Sequence, residues 1–456
     1  MIHLHSDNEV PGGSACLPIS LLQREEAGAV VFNQASVSAI HNSTFSQHFV
    51  KPLYDSYCFS NLPTTIAWLL SGQGQPTLPR DVFGDLPTRC EHVIFLFVDG
   101  FGWRFFERYA EQYPILKTIA SNGVVSKLTS QFPSTTAAHV TSIHTGLNVG
   151  QSGVYEWYYY EPLVDDIIMP LRFSFGRDRL TPETLKQTGV PPAAFFPQQT
   201  FYQTLQVQGI TSHVFQPQAY AQSIYSQVVF RGAAIHPYTS IQAAFASLVE
   251  LIAAPTISPT YAFLYFDRID SRGHFSGPDS AAFDDAVKEF FTALNEAFYQ
   301  QVRGKAGKTL VLLSADHGHV NVDPQTTFYL NLHMPELTRL FKTNARGTPI
   351  VPAGSPRDMF LYFREEHLAE GLTMLQQRLA GKAEVHPVQD LLAQGFFGPQ
   401  APSPELLSRL GNVVILPYTG ETVWWLEAGS YDMTFFGHHG GLTPHEMEIP
   451  LLVLPL

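Results

Sequence analysis

Apolar side chains run almost unbroken through residues 92–98, 261–266 and 309–315, each run ending in polar residues. Runs of this length predict strands buried on both faces, the habit of parallel sheets. The pattern between them changes period. Residues 103–123 space their apolar positions as a helix does and end at Gly123. VVSKLTS, residues 124–130, predicts a second strand. Thr135 or Thr136 opens a further helix that runs to about Thr145, with Gly146 as its stop. Phe283, Val287, Phe290, Phe291, Leu294 and Phe298 form a helical stripe that should pack on the sheet. Residues 358–363, 412–418 and 449–456 predict late strands. Strands alternating with helices predict an α/β fold, a three-layer α/β/α sandwich with a mostly parallel central sheet.

Residues 1–90 mix turn formers with short apolar pieces and read as an N-terminal extension packed on the core. The core domain spans 91–456. Two stretches interrupt it: a cap at about 151–260, which holds VYEWYYYEP, and a small subdomain at about 321–430. Trp157, Tyr158, Tyr159 and Tyr160 follow one another, so they cannot all be buried on one face. Trp157 and Tyr159 are expected in a pocket wall, with interface packing as the plain alternative.

At 456 residues the chain has room for a large core, and 45% apolar against 15% charged residues marks it as globular. A formal net charge of −13 argues against a nucleic-acid polymer or an anionic membrane as partner. It leaves room for a small phosphate substrate, because bound metals outweigh a diffuse field. Cys16, Cys58 and Cys90 are too few and too scattered for a disulfide framework or a zinc knuckle. The first twenty residues lack the pattern of a signal peptide, and no apolar run reaches the length of a membrane span. The expectation is a soluble, cytoplasmic protein.

The candidate chemistry sits where the predicted strands end. Asp99 closes the first run, although Asp-Gly is also a common turn pair. Asp270 and His274 follow the second at i, i+4, which puts both on one side of a helical turn. Asp316 and His317 follow the third, and as neighbours they need an irregular backbone to converge. His319 reads as an exposed histidine, with a supporting role as the alternative. GHHGG adds His438 and His439. Thr443, Pro444 and Glu446 then read as a capping box. Carboxylates with imidazoles are the ligand set of Zn²⁺ and its neighbours, and there are enough here for two ions. The loop FPSTTAAH supplies threonine hydroxyls that a metal could activate, and His139 lies one turn along the helix where it could meet a phosphoryl oxygen or pack on the sheet.

VDG, FPSTTAAHVTSIHTG, DSRGHFSGP, ADHG and HHGG occur in this order, and together they resemble the alkaline phosphatase superfamily, most closely its type I phosphodiesterase/nucleotide pyrophosphatase branch. The resemblance implies an alkaline phosphatase-like catalytic domain over 91–456 and a dizinc phosphoesterase acting on phosphodiester or pyrophosphate bonds through a phospho-threonine. It implies Thr136 rather than Thr135 as nucleophile. It assigns Asp99, Asp316 and His317 to one zinc, with Thr136 bridging, and Asp270, His274 and His439 to the other. The chain departs from the branch at His139, where an asparagine is common, and at Ala137, where an aromatic residue is frequent. A phosphomonoesterase or phosphonate hydrolase on the same core is the alternative. A metal-containing binding protein without turnover is the alternative of another class.

Overall fold

The computed structural model describes residues 32–255 and 258–456. Residues 1–31 of the expected N-terminal extension, with Cys16, lie outside the described residues. The apolar runs are strands of one seven-stranded sheet: β1 His92–Val98, β2 Val124–Thr129, β3 Thr211–Pro217, β4 Ala234–Tyr238, β5 Thr260–Phe266, β6 Thr309–Ser314 and β7 Glu448–Pro455. Their order across the sheet is β2-β7-β6-β1-β5-β3-β4. Six strands run parallel, and β7 lies antiparallel between β2 and β6. In β1, β5 and β6 every residue is buried, as unbroken apolar runs require.

Alternation along β1 separates the two helical layers. Phe95 and Phe97 face Phe59 and Phe263. Leu96 lies on the other side with Ile115, Ile119, Leu294 and Phe298. Helix Leu62–Ser71 and the helix α1 Thr136–Thr145 belong to the first layer, while the stripe from Phe283 to Phe298 is buried in the second. Residues 32–90 thus contribute to the sandwich directly: Phe32 and Cys58 bridge to β2, and Phe59, Leu62 and Ile66 are fully buried.

Three expectations change. The helix expected over 103–123 is two, Trp103–Tyr109 and Pro114–Asn122, because Pro114 cannot continue a helix and suits the first position of the next. The helix after Ala281 turns π-helical over Leu294–Tyr299. The stretch 151–260 is not one insertion. Tyr159–Glu161, Asp166–Met169 and Ser174–Phe175 form a small antiparallel sheet, but β3 and β4 lengthen the central sheet. Within 321–430, Met359–Leu361, Val413–Pro417 and Ala383–Pro387 form a separate three-stranded sheet over its own apolar cluster. Among the described residues, no helix is long and apolar enough to cross a membrane.

Candidate active site

The parallel strands end on one side of the sheet, where α/β folds hold their ligands. β1 delivers Asp99. After β5 comes the helix α2 Arg268–Ser276, with Asp270 and His274 one turn apart. The irregular segment after β6 turns both Asp316 and His317 inward. β2 leads through the threonine loop into α1, with Thr136 at its first position and Thr135 at the cap. Because β7 runs antiparallel, the segment just before it reaches the same end of the sheet and brings His439. Val320–Asn321 pairs with Gly437–His438 and fixes the two histidine segments side by side.

Glycine permits the close approach. Gly100 has φ +74°, and a Cβ there would lie 2.8 Å from His319 Nε2 and 3.0 Å from the Asp270 Cα. Ser134 Oγ donates to Gly441 O (2.7 Å) and accepts from the Gly440 N–H (3.2 Å), joining the threonine loop to GHHGG. Glu446 accepts from the Thr443 N–H (3.3 Å), as the capping box predicts, and from the Thr443 hydroxyl (2.6 Å). It also accepts from the Gly441 N–H and from buried Arg357, which anchors the histidine loop from behind.

The expected ligands converge in two groups: Asp99, Asp316 and His317, and Asp270, His274 and His439. His317 Nε2 lies 3.2 Å from Asp316 Oδ2, 3.5 Å from Asp99 Oδ1 and 3.2 Å from Thr136 Oγ1. Asp270 Oδ1 lies 3.4 Å from His274 Nε2 and 3.6 Å from His439 Nε2. Each histidine sets its Nδ1 against a backbone carbonyl: His274 on Gly437 O (2.9 Å), His317 on Gly318 O (3.1 Å), His439 on Ser134 O (2.9 Å). A carbonyl only accepts, so each Nδ1 holds the proton and each Nε2 keeps a lone pair facing the site. The His274 and His439 Nε2 atoms stand 3.1 Å apart.

Asp99 Oδ1, Asp316 Oδ2 and Asp270 Oδ1 are buried without a hydrogen-bond partner. Buried carboxylates in that condition are costly unless a cation joins them. Burial and then the neighbouring Asp316 and Asp270 hold the Asp99 carboxyl far above the usual range, and burial pushes Asp316 up to about 7. Burial also raises Asp270, but His274 and His319 outweigh it and bring that carboxyl below its ordinary value. Burial keeps His317 and His439 neutral. Converging carboxylate oxygens and neutral imidazole lone pairs fit divalent cations, which supply the missing positive charge.

Two expected substrate contacts lie elsewhere. His139 is fully buried, with Nδ1 donating to Thr135 O (2.7 Å) and Nε2 accepting from the Gln131 N–H (2.9 Å). Burial lowers its pKa to about 3. It braces the threonine loop and presents nothing to a substrate. Tyr159 is also fully buried, stacked on Tyr155 at 5.2 Å, because its strand turns that side chain into the core. Trp157 does face the site. It borders both of two clefts, of about 380 and 710 Å³, that meet at Thr136, Trp157, Arg172 and Asp270.

Two residues escaped the sequence patterns, and for a third, His319, the alternative reading fits. His319 is buried, not exposed, and its Nε2 comes within 2.9 Å of Asp270 Oδ1, off the line of a hydrogen bond. The Tyr265 hydroxyl donates to Asp99 Oδ2. A tyrosine next to the end of a largely apolar strand was its signal. Arg172 borders both clefts and gave no signal in its own stretch of sequence.

Residues 93–441 match the sequence model of the family described as type I phosphodiesterase / nucleotide pyrophosphatase. No curated protein sequence matches the chain. Among solved structures, murine ectonucleotide pyrophosphatase / phosphodiesterase 5, as an inactive threonine-to-alanine variant in complex with AMP, is similar with a TM-score of 0.58 at 16% identity, over 79% of this chain and 87% of that one. Its human counterpart gives 0.57 at 17%, with the same coverage. Phosphonoacetate hydrolase from Sinorhizobium meliloti 1021, in complex with phosphonoformate, gives 0.53 at 17%, over 79% of this chain and 89% of that one. At these identities the structural likeness establishes the fold.

Proposed function

This chain belongs to the type I phosphodiesterase/nucleotide pyrophosphatase family and is therefore a hydrolase; from that premise we propose that it is a dizinc phosphoesterase cleaving phosphodiester or pyrophosphate bonds through a phospho-threonine at Thr136. Asp99, Asp316 and His317, with Thr136 bridging, would hold one ion, and Asp270, His274 and His439 the other. Zn²⁺ is chosen on ligand type. When bound, the two ions supply Lewis acidity to the nucleophile and to the leaving oxygen.

The observation that carries this reading is the ring of three unpartnered carboxylate oxygens and inward-facing imidazole nitrogens beside one threonine hydroxyl. Thr136 Oγ1 attacks phosphorus in line with the departing oxygen. That forms the Thr136 ester and breaks the bond to the alcohol or phosphate that leaves. Water then cleaves the ester and restores the hydroxyl. His317 Nε2 lies 3.2 Å from Oγ1, so the hydroxyl stands beside the ion that this same nitrogen would ligate. The N-terminus of α1 points its free amides at the incoming anion. Tyr265 and the Gly100 N–H, which donates to Asp316 Oδ1 at 3.1 Å, hold the two carboxylates in place. An inactive threonine-to-alanine variant of a structural neighbour is in keeping with the assignment.

The cleft walls favour a diester over a monoester. Trp157, Tyr158, Phe275, Trp424 and Phe435 dominate one cleft and uncharged polar groups the other, with few cations for a second charge on the reacting phosphoryl. The test is a comparison of bis-p-nitrophenyl phosphate with p-nitrophenyl phosphate on zinc-loaded protein. Faster diester cleavage is expected. Faster monoester cleavage would favour the monoesterase, and no turnover of any ester would favour a binding protein.

A further inference from the structure

Most charged residues that border the two clefts are committed to a partner or to a ligand group, and Glu156 accepts from the Trp157 N–H while its Oε1 is left without a hydrogen bond. Arg179 is paired with Asp432 at 2.9 Å. Asp267 accepts from the Tyr220 hydroxyl, and Glu183 accepts from the Ile224 N–H and is paired with Lys186. Asp99 and Asp270 belong to the ligand groups. Arg172 stands apart: among the described residues its guanidinium has no acidic partner and makes no hydrogen bond, and its Nε is buried. An uncommitted guanidinium at the wall of a cleft, in a chain of net charge −13, is a place made for an anion.

The backbone around Arg172 is tightly held. Phe173 has φ +49°, a left-handed conformation that a bulky aromatic residue adopts only under constraint. Its N–H donates to Pro170 O (3.0 Å), and its ring is buried edge-on against Phe195. Arg172 O accepts from the Glu183 N–H (2.9 Å) and from Ser174 Oγ (3.1 Å). Glu183 is itself left-handed, with φ +64°. Two constrained residues thus clamp the one whose side chain is free. Such clamping fixes where the guanidinium starts from and lowers the cost of ordering it on a ligand.

Position decides which anion. Arg172 is one of the four residues where the clefts meet, with Thr136, Asp270 and Trp157. The reacting phosphoryl group would be neutralised by the ions and the N-terminus of α1. A cation that borders both clefts and belongs to neither ligand group is free to meet instead a group carried on a substituent of that phosphorus. Trp157 beside it offers a flat apolar face to the same substituent.

We propose that Arg172 is a specificity-determining residue that grips a second anionic group, a phosphate or carboxylate, on the arm flanking the reacting phosphorus, so that a diester with a charged arm is preferred over the same diester with a neutral one. The proposal rests on the phosphoesterase reading of the site, and its test is built to fail separately. Two p-nitrophenyl diesters that share a leaving group and differ only in the other arm, 3-hydroxypropyl or 3-phosphopropyl, are compared. In parallel, calorimetry gives the affinities of propylphosphonate and propane-1,3-bisphosphonate, which need no turnover.

Wild-type protein should prefer the phosphopropyl diester and the bisphosphonate. Arg172→Met should cut both preference ratios by about ten-fold or more, the worth of a charge-assisted hydrogen bond. Arg172→Lys should retain part of each ratio, since it keeps the charge and loses the planar fork. Should Arg172→Met fail to fold, Arg172→Lys decides, with a several-fold fall expected. Ratios that stay as in wild type would overturn the proposal, because a contact with the reacting phosphoryl, or a purely structural role, affects both members of a pair alike. If neither diester turns over while the affinity ratio still collapses in Arg172→Met, the hydrolytic reading falls and the Arg172 assignment stands.

Discussion

Thr136 and Thr135 differ by one position and by everything around them. Thr136 Oγ1 sits 3.2 Å from His317 and borders both clefts, whereas Thr135 is buried at the cap of α1, against Glu156. Thr136→Ala should leave the melting temperature and metal content near wild type and lower kcat by about 10³-fold or more. Thr135→Ala should cost far less activity, and the reverse ranking in the same assay would move the nucleophile by one residue. Glu156 carries a different signature. Burial pushes its carboxyl up to about 8, with the Trp157 N–H pulling back, and burial likewise holds Asp358 beside it well above the usual carboxylate range. A carboxyl whose folded pKa lies above its unfolded value contributes stability that is complete below the unfolded value and lost as pH rises through the folded one. Glu156→Gln should therefore raise the melting temperature at about pH 9 and change it little at about pH 5. Thermal scans at the two pH values check this, and an equal shift at both would mean that the charge is not the cause.

At the scale of elements, α2 shows how a local rule can reverse. Replacing a glycine inside a helix by alanine usually stabilises by about 0.5–1 kcal/mol. At Gly273 a Cβ would lie 2.8 Å from His319 Nε2, and that ring is buried with no room to retreat. Gly273→Ala should thus lower stability and metal affinity together, as thermal melting and metal titration would show. The same elements explain what could be foreseen. Asp99, Asp270, His274, Asp316 and His317 were legible because unbroken apolar runs announce buried parallel strands, and such strands end at the site. β3 and β4 were not, since they lie at the far end of the sheet: Thr211, Ser212, His213, Gln216 and Pro237 break any apolar run, and β4 is half-exposed. His139 misled because a spacing of three residues places it on the side of Thr136 without showing that this side turns under the loop. Tyr159 misled because four successive aromatic residues do not reveal where the strand begins. Arg172 depends on a chain reversal closed by Glu183, eleven residues on, which no local pattern announces.

For the whole molecule, the site is a junction. Segments after β1, β2, β5 and β6 and the segment before β7 all contribute to it, and only the packing of the sheet sets their spacing. Ions bound there would tie five remote parts of the chain together, and their affinity would add to the stability of the folded state alone. Stripping them with a chelator should lower the melting temperature by several degrees and restore it on adding Zn²⁺; a chelated protein that melts as before would argue against buried structural ions. The place of β7 carries one more consequence, in the order of synthesis. Translation makes β2 some three hundred residues before β7 (Val124 against Glu448), yet β7 is its sheet partner and separates it from β6. Until that late segment leaves the ribosome, β2 and β6 both present open edges, and His439 has not yet arrived. Until β7 is made, a nascent chain is therefore exposed to edge-pairing with its neighbours on the same message, so that folding assistance matters most between the synthesis of β6 and that of β7.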